Sequence, residues 1–383
     1  MRLHSKSAPL AALFAALASL GSSGGAKADD TAAVLRDRRI GYVVTGLHWS
    51  VYQSGNLNAD CPQGLNPYGP REVFKALYPD GGSVEATQLA REALRQFPLD
   101  HKPFFPYILS GSRTAIGLNL DGKAGPNDYA APESDKGLSQ ALYEVVKDEK
   151  GIDNNLQKVI GCNANFRAPE GQLQLFAGEK EVRDNSYART LIEITNLDSL
   201  ADDADVEVTV YRGRDPLLLD ATGDKVAPGG TQRIDMEYGK PFIQHLHGRI
   251  AGGILTTEPV RMGVWPWSIY NEAPGILKVH AMRFRMKLTP ASAEGLLAGY
   301  TDINSWYHWL TGWSAHHLAY GQLDPSEFYW ALYDNADAYP DQDGRNTAIS
   351  SALTVNMAQV YILHPDEKVA DRDGGQTKSA SAR

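Results

Sequence analysis

In Val279-His280-Ala281-Met282-Arg283-Phe284-Arg285-Met286-Lys287-Leu288 basic and apolar side chains alternate, the pattern of a β-strand with one wet face and one buried face. The same character runs through the centre of the chain. Residues 173–176, 190–195, 206–211, 231–235, 249–257, 261–265 and 276–288 are short, alternating or β-branched, and Gly, Asp or Pro punctuates them. No helix of crossover length separates these segments, which argues against a parallel α/β sheet. The pattern predicts an antiparallel β-sandwich or barrel over residues 171–292.

The flanks differ. Over residues 29–170 we expect a mixed α/β part: a strand at 41–52, a loop at 55–69, and helices at 84–96 and 138–146, the first stopped by Pro98. Residues 118–132 are too rich in Gly, Asp, Asn and Pro for a regular element. Beyond residue 293, Trp306, Leu310, Trp313 and His317 fall about one turn apart, as do Phe328, Leu332 and Asn335. This spacing predicts an aromatic-rich helical part over 293–367, packed on the β core, before a polar, Gly/Ser-rich tail over 368–383 expected to be disordered. The fold class expected is mainly β with α additions.

Arg2 and Lys6 precede an apolar run over 9–20 and the small-residue phrase Ala26-Lys27-Ala28, the order of a secretory signal peptide cleaved after Ala28. The run is too short to span a bilayer, and no later stretch is apolar for bilayer length, so no integral membrane span is expected. A periplasmic or extracellular location follows. Losing Arg2, Lys6 and Lys27 takes the formal charge from −9 to −12, which argues against nucleic acid as a partner because phosphate binding needs a basic surface. About 355 residues would remain, compatible with one large domain or two closely packed layers. Only Cys61 and Cys162 are present. In an oxidising compartment an isolated pair most simply forms one disulfide, and neither cysteine lies in a haem-attachment or zinc-finger spacing, so no haem is expected.

The phrases Cys61-Pro62-Gln63-Gly64-Leu65-Asn66, Gly151-Ile152-Asp153-Asn154-Asn155-Leu156 leading to Gly161-Cys162, and Ala336-Asp337-Ala338-Tyr339-Pro340-Asp341 before Thr347-Ala348-Ile349-Ser350-Ser351 resemble those of an uncharacterised family of secreted proteobacterial proteins. The resemblance runs along most of the mature chain. It implies export and pairing of the two cysteines, and it transfers no catalytic residue.

Three acidic, glycine-containing loops are the sharpest candidates for chemistry. They carry Asp121, Asn127 and Asp128, then Asp153 and Asn154, then Asp341 and Asp343. Ca²⁺ takes six to eight hard oxygens, and such loops offer them, although none matches an EF-hand. The same residues also make turns without any ion, because Asx side chains bond their own backbone. The first two loops flank one predicted helix, which makes a shared site there the better of the metal hypotheses. His245 and His247 form His-x-His at the entrance to a predicted strand, where a period of two sets both imidazoles on one face. A third transition-metal ligand would come from His280, His316 or His317.

Gly312-Trp313-Ser314-Ala315-His316 resembles a nucleophile elbow with its last glycine replaced, in a context that reads as helical. No carboxylate pair stands out for glycoside hydrolysis. Aromatic residues gather around Trp265, Trp267 and Tyr270 and around Trp306, Trp309 and Trp313. Flat rings with a polar handle suit a small-molecule, glycan or lipid-like ligand, while an aromatic stripe at helical spacing also suits a core. Pro266 favours an edge or loop setting for the first group. Two functions compete: a secreted binding or accessory protein stabilised by Ca²⁺, and an exported hydrolase or metal-dependent enzyme using His245 and His247. Mass spectrometry of the exported chain is expected to find Asp29 as its first residue, and retention of residues 1–28 would refute the cleavage site.

Overall fold

Strand β1 (Ile40–Trp49) lies antiparallel to the last long strand of the chain, with Gly41 opposite Val360 and Trp49 opposite Leu353. This pairing joins the two ends of a sheet and closes it. The computed structural model describes residues 35, 37–66, 106–167, 189–237, 239–266, 276–308 and 325–366. In chain order its further strands are β2 (Thr190–Thr195), β3 (Asp203–Arg212), β4 (Gly230–Arg233), β5 (Gln244–Ala251), β6 (Ile254–Thr257), β7 (Val260–Pro266), β8 (Ile276–Leu288), β9 (Ser292–Asp302), β10 (Ala338–Pro340) and β11 (Asn346–Leu363). Strands β1, β2, β3, β5, β6, β8, β9 and β11 follow one another around an eight-stranded antiparallel barrel. Outside that circuit, β7 pairs with β8, β10 pairs with β11, and β4 runs parallel to the end of β11.

Eight strands enclose a space that side chains just fill. Val206, Val208 and Val210 of β3, Phe284 and Met286 of β8, Leu297 of β9 and Val355 of β11 fill it, all buried. The intervening Arg283, Arg285 and Lys287 remain partly exposed on the outer face, as the alternation predicts. No helix among the described residues is long and apolar enough to cross a membrane. The alternation of β8 is broken once. Its register with β9 shifts between His280 and Arg283, where Ala281 has a φ of 50°. This bulge sends both Val279 and Met282 into the core, so His280 and Arg283 both stand on the outer face.

The described helices include α1 (Leu57–Asp60), α2 (Gln140–Val146), α3 (Asn155–Ile160) and α4 (Pro325–Asp334). Ser139 caps α2 by accepting a hydrogen bond from the Leu142 N–H at 3.0 Å. The helix then lays Leu142, Val145 and Val146 with Ile116 and Leu118 on Leu296, Ala298 and Ala352 of the barrel's outer wall. Helices α3 and α4 serve the interior instead. Phe166, Trp306 and Phe328 meet there, with Trp49 5.4 Å from Trp306 and Phe328 4.9 Å from it between ring centroids. Leu156, Val159 and Ile160 of α3 join the same continuous core. Cys61, which follows α1, and Cys162, which follows α3, form a disulfide. Beside it the buried Asp60 accepts a charge-assisted hydrogen bond from Arg167 at 3.0 Å.

Several expectations change. The region beyond residue 293 contains α4 and a helical run over 303–308, but also the long strands β9 and β11. Both strands are buried on both faces over much of their length, so neither shows the alternation that marks a half-wet strand. The segment 249–257, expected as one strand, is a hairpin. Ala251 pairs with Ile254, and Gly252 and Gly253 turn the chain with φ of 57° and 76°, values that suit glycine at both central positions. Helix α3 begins inside what reads as an acidic loop. The expected helix at 84–96 and strand at 173–176 lie outside the described residues. Replacing Cys61 and Cys162 by serine removes a crosslink between residues 101 apart. A urea titration is expected to show a loss of a few kcal/mol, with about 4.7 kcal/mol the ceiling of the chain-entropy account.

Candidate functional site

Trp265 and Trp306 do not present their rings to a ligand. Trp265 is 1% exposed and packs 6.1 Å from Phe284, and Trp306 is wholly buried. Pro266 does end an outlying strand, but one residue earlier the pleat turns Trp265 inward. Trp267, Tyr270, Trp309, Trp313, Ser314, His316 and His317 lie outside the described residues. His245 and His247 are exposed together on the outer face of β5, with Leu246 buried between them. The Thr209 hydroxyl lies 3.1 Å from His245 Nδ1. Among the described residues no group of three or more His, Cys, Asp or Glu side chains is placed to hold a metal ion.

Most of the predicted acidic residues are engaged in local backbone bonds. Asp341 Oδ1 accepts from the N–H groups of Asp343 and Arg345 at 3.0 and 2.9 Å, and Asp343 itself is exposed. Asp121 accepts from the Lys123 N–H at 2.8 Å, and Asp128 accepts from the Gly125 N–H beside the exposed Asn127. The Asp341–Asp343 and Asp121–Lys123 bonds are Asx turns, and Asp128 instead bonds back to the backbone three residues earlier. Asn154 is buried, donates to the carbonyls of Ser50 and Ile116 at 3.2 and 2.8 Å, and caps α3. Asp153 differs. Leu118 bridges Asp153 and Tyr129 bridges Ile152, which joins the first two loops, and Asp153 Oδ2 accepts from the Leu120 N–H at 2.7 Å.

Asp153 stands at the margin of a constellation on the outer face of β8, β9 and β11. Ser350 lies directly opposite Tyr300, and Tyr300 opposite His280, so the three form a cross-strand row. Asp337 caps one end of the row, accepting from the Ser350 N–H at 2.7 Å and from its hydroxyl at 2.5 Å. Asn155, two residues beyond Asp153, donates its N–H to Ser350 Oγ at 2.8 Å. Over the other end Tyr339 of β10 stacks on His280 with centroids 4.1 Å apart and meets Tyr300 edge-on at 5.7 Å. Tyr339 holds a φ of 57°, as Ala281 beside His280 holds one of 50°. Such conformations concentrate at functional sites. Arg283 is also on this face, with its guanidinium donating to the carbonyls of Ala281 and Leu120.

Acid–base properties on this face are displaced together. Burial pushes the Asp337 carboxyl up to about 6, its Ser350 bonds oppose the shift, and Asp153 adds to it. Part of the shift is screened, because Asp337 as a residue is open to water. Burial also raises Asp153, with Asp121 and Asp128 contributing. The Tyr300 hydroxyl is raised by burial and by Asp153, Asp337 and Asp121. His280 is lowered, chiefly by burial. Convergence of displaced groups is a mark of functional sites. The acidic loop containing Asp337 was visible in the sequence; the meeting of Tyr300, His280 and Tyr339 requires the strand register.

A cleft of about 470 Å³ opens farther along the outer wall, where the chain leaving β1 faces β11 and α2. Trp49, Val51, Ile116, Leu138 and Leu142 give it mainly apolar walls, while Ser50, Thr354, His48 and the exposed Lys136 provide its polar groups. Its volume is that of an ordinary small-molecule site.

No protein-family model, curated protein or solved structure matches the chain. The resemblance of its cysteine and acidic-loop phrases to secreted proteins therefore rests on those phrases alone.

The raised Asp337 has a signed consequence. A carboxyl that binds its proton more tightly in the folded than in the unfolded state stabilises the fold below the unfolded pKa. That contribution is lost as pH rises through the folded pKa. Between pH 4 and about 6 the melting temperature of the wild type is therefore expected to carry a downward component that is absent from Asp337→Asn. Identical pH profiles of the two proteins would refute it.

Proposed function

We propose that this chain is an exported binding or accessory protein that takes a small, mainly apolar molecule into the cleft between β1, β11 and α2. The cleft itself carries the proposal. It combines a ligand-sized volume of about 470 Å³ with mainly apolar walls and only a few polar groups to orient a guest. Among the described residues, Val208, Phe284, Met286 and Val355 fill the barrel interior. The ligand class stays as expected, a small or lipid-like molecule, but its site moves from the Trp265 and Trp306 clusters to the outer wall. The disulfide supports residence in an oxidising compartment.

The neutral fluorophore N-phenyl-1-naphthylamine tests this reading. The wild type is expected to enhance its emission saturably. Leu138→Trp, which enlarges a half-buried wall residue of the cleft, should weaken that binding at least fivefold without lowering the melting temperature. Equal enhancement by both proteins, or none by the wild type, would overturn the proposal.

A further inference from the structure

We infer that the outer face of β8, β9 and β10 is a second binding site, separate from the cleft, for an organic ammonium group held between the rings of Tyr339 and Tyr300 and the carboxylates of Asp337 and Asp153. Two observations meet here. The first is an aromatic wall: Tyr339 is 39% exposed, is braced from behind by His280, and stands edge-on to Tyr300. Tyrosine faces attract cations through the negative face of the ring.

The second is charge. Asp337 is fixed by two bonds to Ser350, the direct cross-strand neighbour of Tyr300, and Asp153 is tied to the same serine through Asn155. Neither carboxylate is ion-paired among the described residues. Arg283 is coupled electrostatically to Tyr300, Asp153 and Tyr339, but its hydrogen bonds go to the carbonyls of Ala281 and Leu120 and to neither carboxylate. Asp153 raises Asp337, and both raise Tyr300 against a smaller opposing effect of Arg283, which accords with an excess of negative potential at the row. An incoming ammonium relieves that excess.

A bare metal ion is disfavoured as the occupant by the same geometry. A hard ion needs six or more oxygens around it, whereas here one wall of the site is aromatic. An organic cation uses both walls, with its charge on the carboxylates and its carbon substituents on Tyr339.

The probe is 4-fluorobenzylammonium, followed by ligand-observed ¹⁹F line broadening, with 4-fluorobenzyl alcohol as its neutral counterpart. The wild type is expected to broaden the ammonium resonance saturably and leave the alcohol unaffected. Asp337→Asn and Asp153→Asn should each weaken binding at least tenfold, and Tyr339→Ala at least fivefold, with Tyr339→Phe retaining it. Because Tyr339 is exposed, its variants test the site even if Asp153→Asn fails to fold. Leu138→Trp should leave this binding unchanged, which separates the site from the cleft. Equal binding of the alcohol, or unchanged affinity in Tyr339→Ala, would overturn the inference. So would Ca²⁺ raising the melting temperature of wild type and Tyr339→Ala alike while neither binds the probe.

Discussion

The pairing of β1 with β11 is the constraint on which the rest of the molecule depends. It brings together segments some 300 residues apart, Gly41 to Val360 and Trp49 to Leu353, and makes a closed wall of a sheet that would otherwise have two open edges. Strand β11 carries more than this closure, since its other edge pairs with β9 from Ala348 opposite Asp302 to Ala358 opposite Ser292. Its ends receive β10 and β4. Along its inner face Ile349, Leu353 and Val355 belong to the barrel core. Along the outer face, successive residues at a period of two serve three purposes. Ser350 anchors Asp337, Ala352 seats α2, and Thr354 lines the cleft. The cleft and the acidic face are thus held on one rigid strand with a helix docked between them.

That strand was the least legible part of the sequence, and the reason is physical. Alternation betrays a strand only when one face meets water. β8 announces itself through Arg283, Arg285 and Lys287, and its bounds are those expected. In β11 the outer face is covered by α2, by the Asp337 segment and by Ile234, Leu217 and Val226, so polar and apolar residues carry no period. β9 is similar, with Leu296 and Ala298 under α2 and Leu297 in the barrel, and its Ala and Leu content favours helix when read alone. The cysteine pair was legible because only one pairing exists. Trp265 shows the limit of local inference: its proline neighbour marks an outlying strand, but which way the indole faces depends on the pleat.

The sites divide in the same way. Asp153 belonged to a visible acidic loop, and its loop does meet the one containing Asp121 and Asp128. Asp341 and Asp343 looked equivalent in sequence but sit in a turn that consumes the Asp341 carboxylate. Nothing local distinguishes Tyr300 or His280. Their importance comes from a register that places them side by side, from a bulge at Ala281, and from β10 folding Tyr339 over them.

That bulge and Tyr339 together explain how the outer face can hold strained backbone. Positive φ at Ala281 and Tyr339 costs of order 1–3 kcal/mol at each position. Neither would persist in a free loop. On one side β8 is clamped by β9 through eight paired residues spanning the bulge; on the other, β10 is clamped to β11 by the pairs Ala338–Ala348 and Pro340–Asn346. Between these fixed rails, the His280–Tyr339 stack is the point where the two strained segments touch. Either segment relaxing alone would part the rings and lose their contact. The barrel's closure therefore does more than stabilise a core: it supplies the stiffness that keeps two unfavourable conformations facing each other and holds the partly exposed ring of Tyr339 against His280.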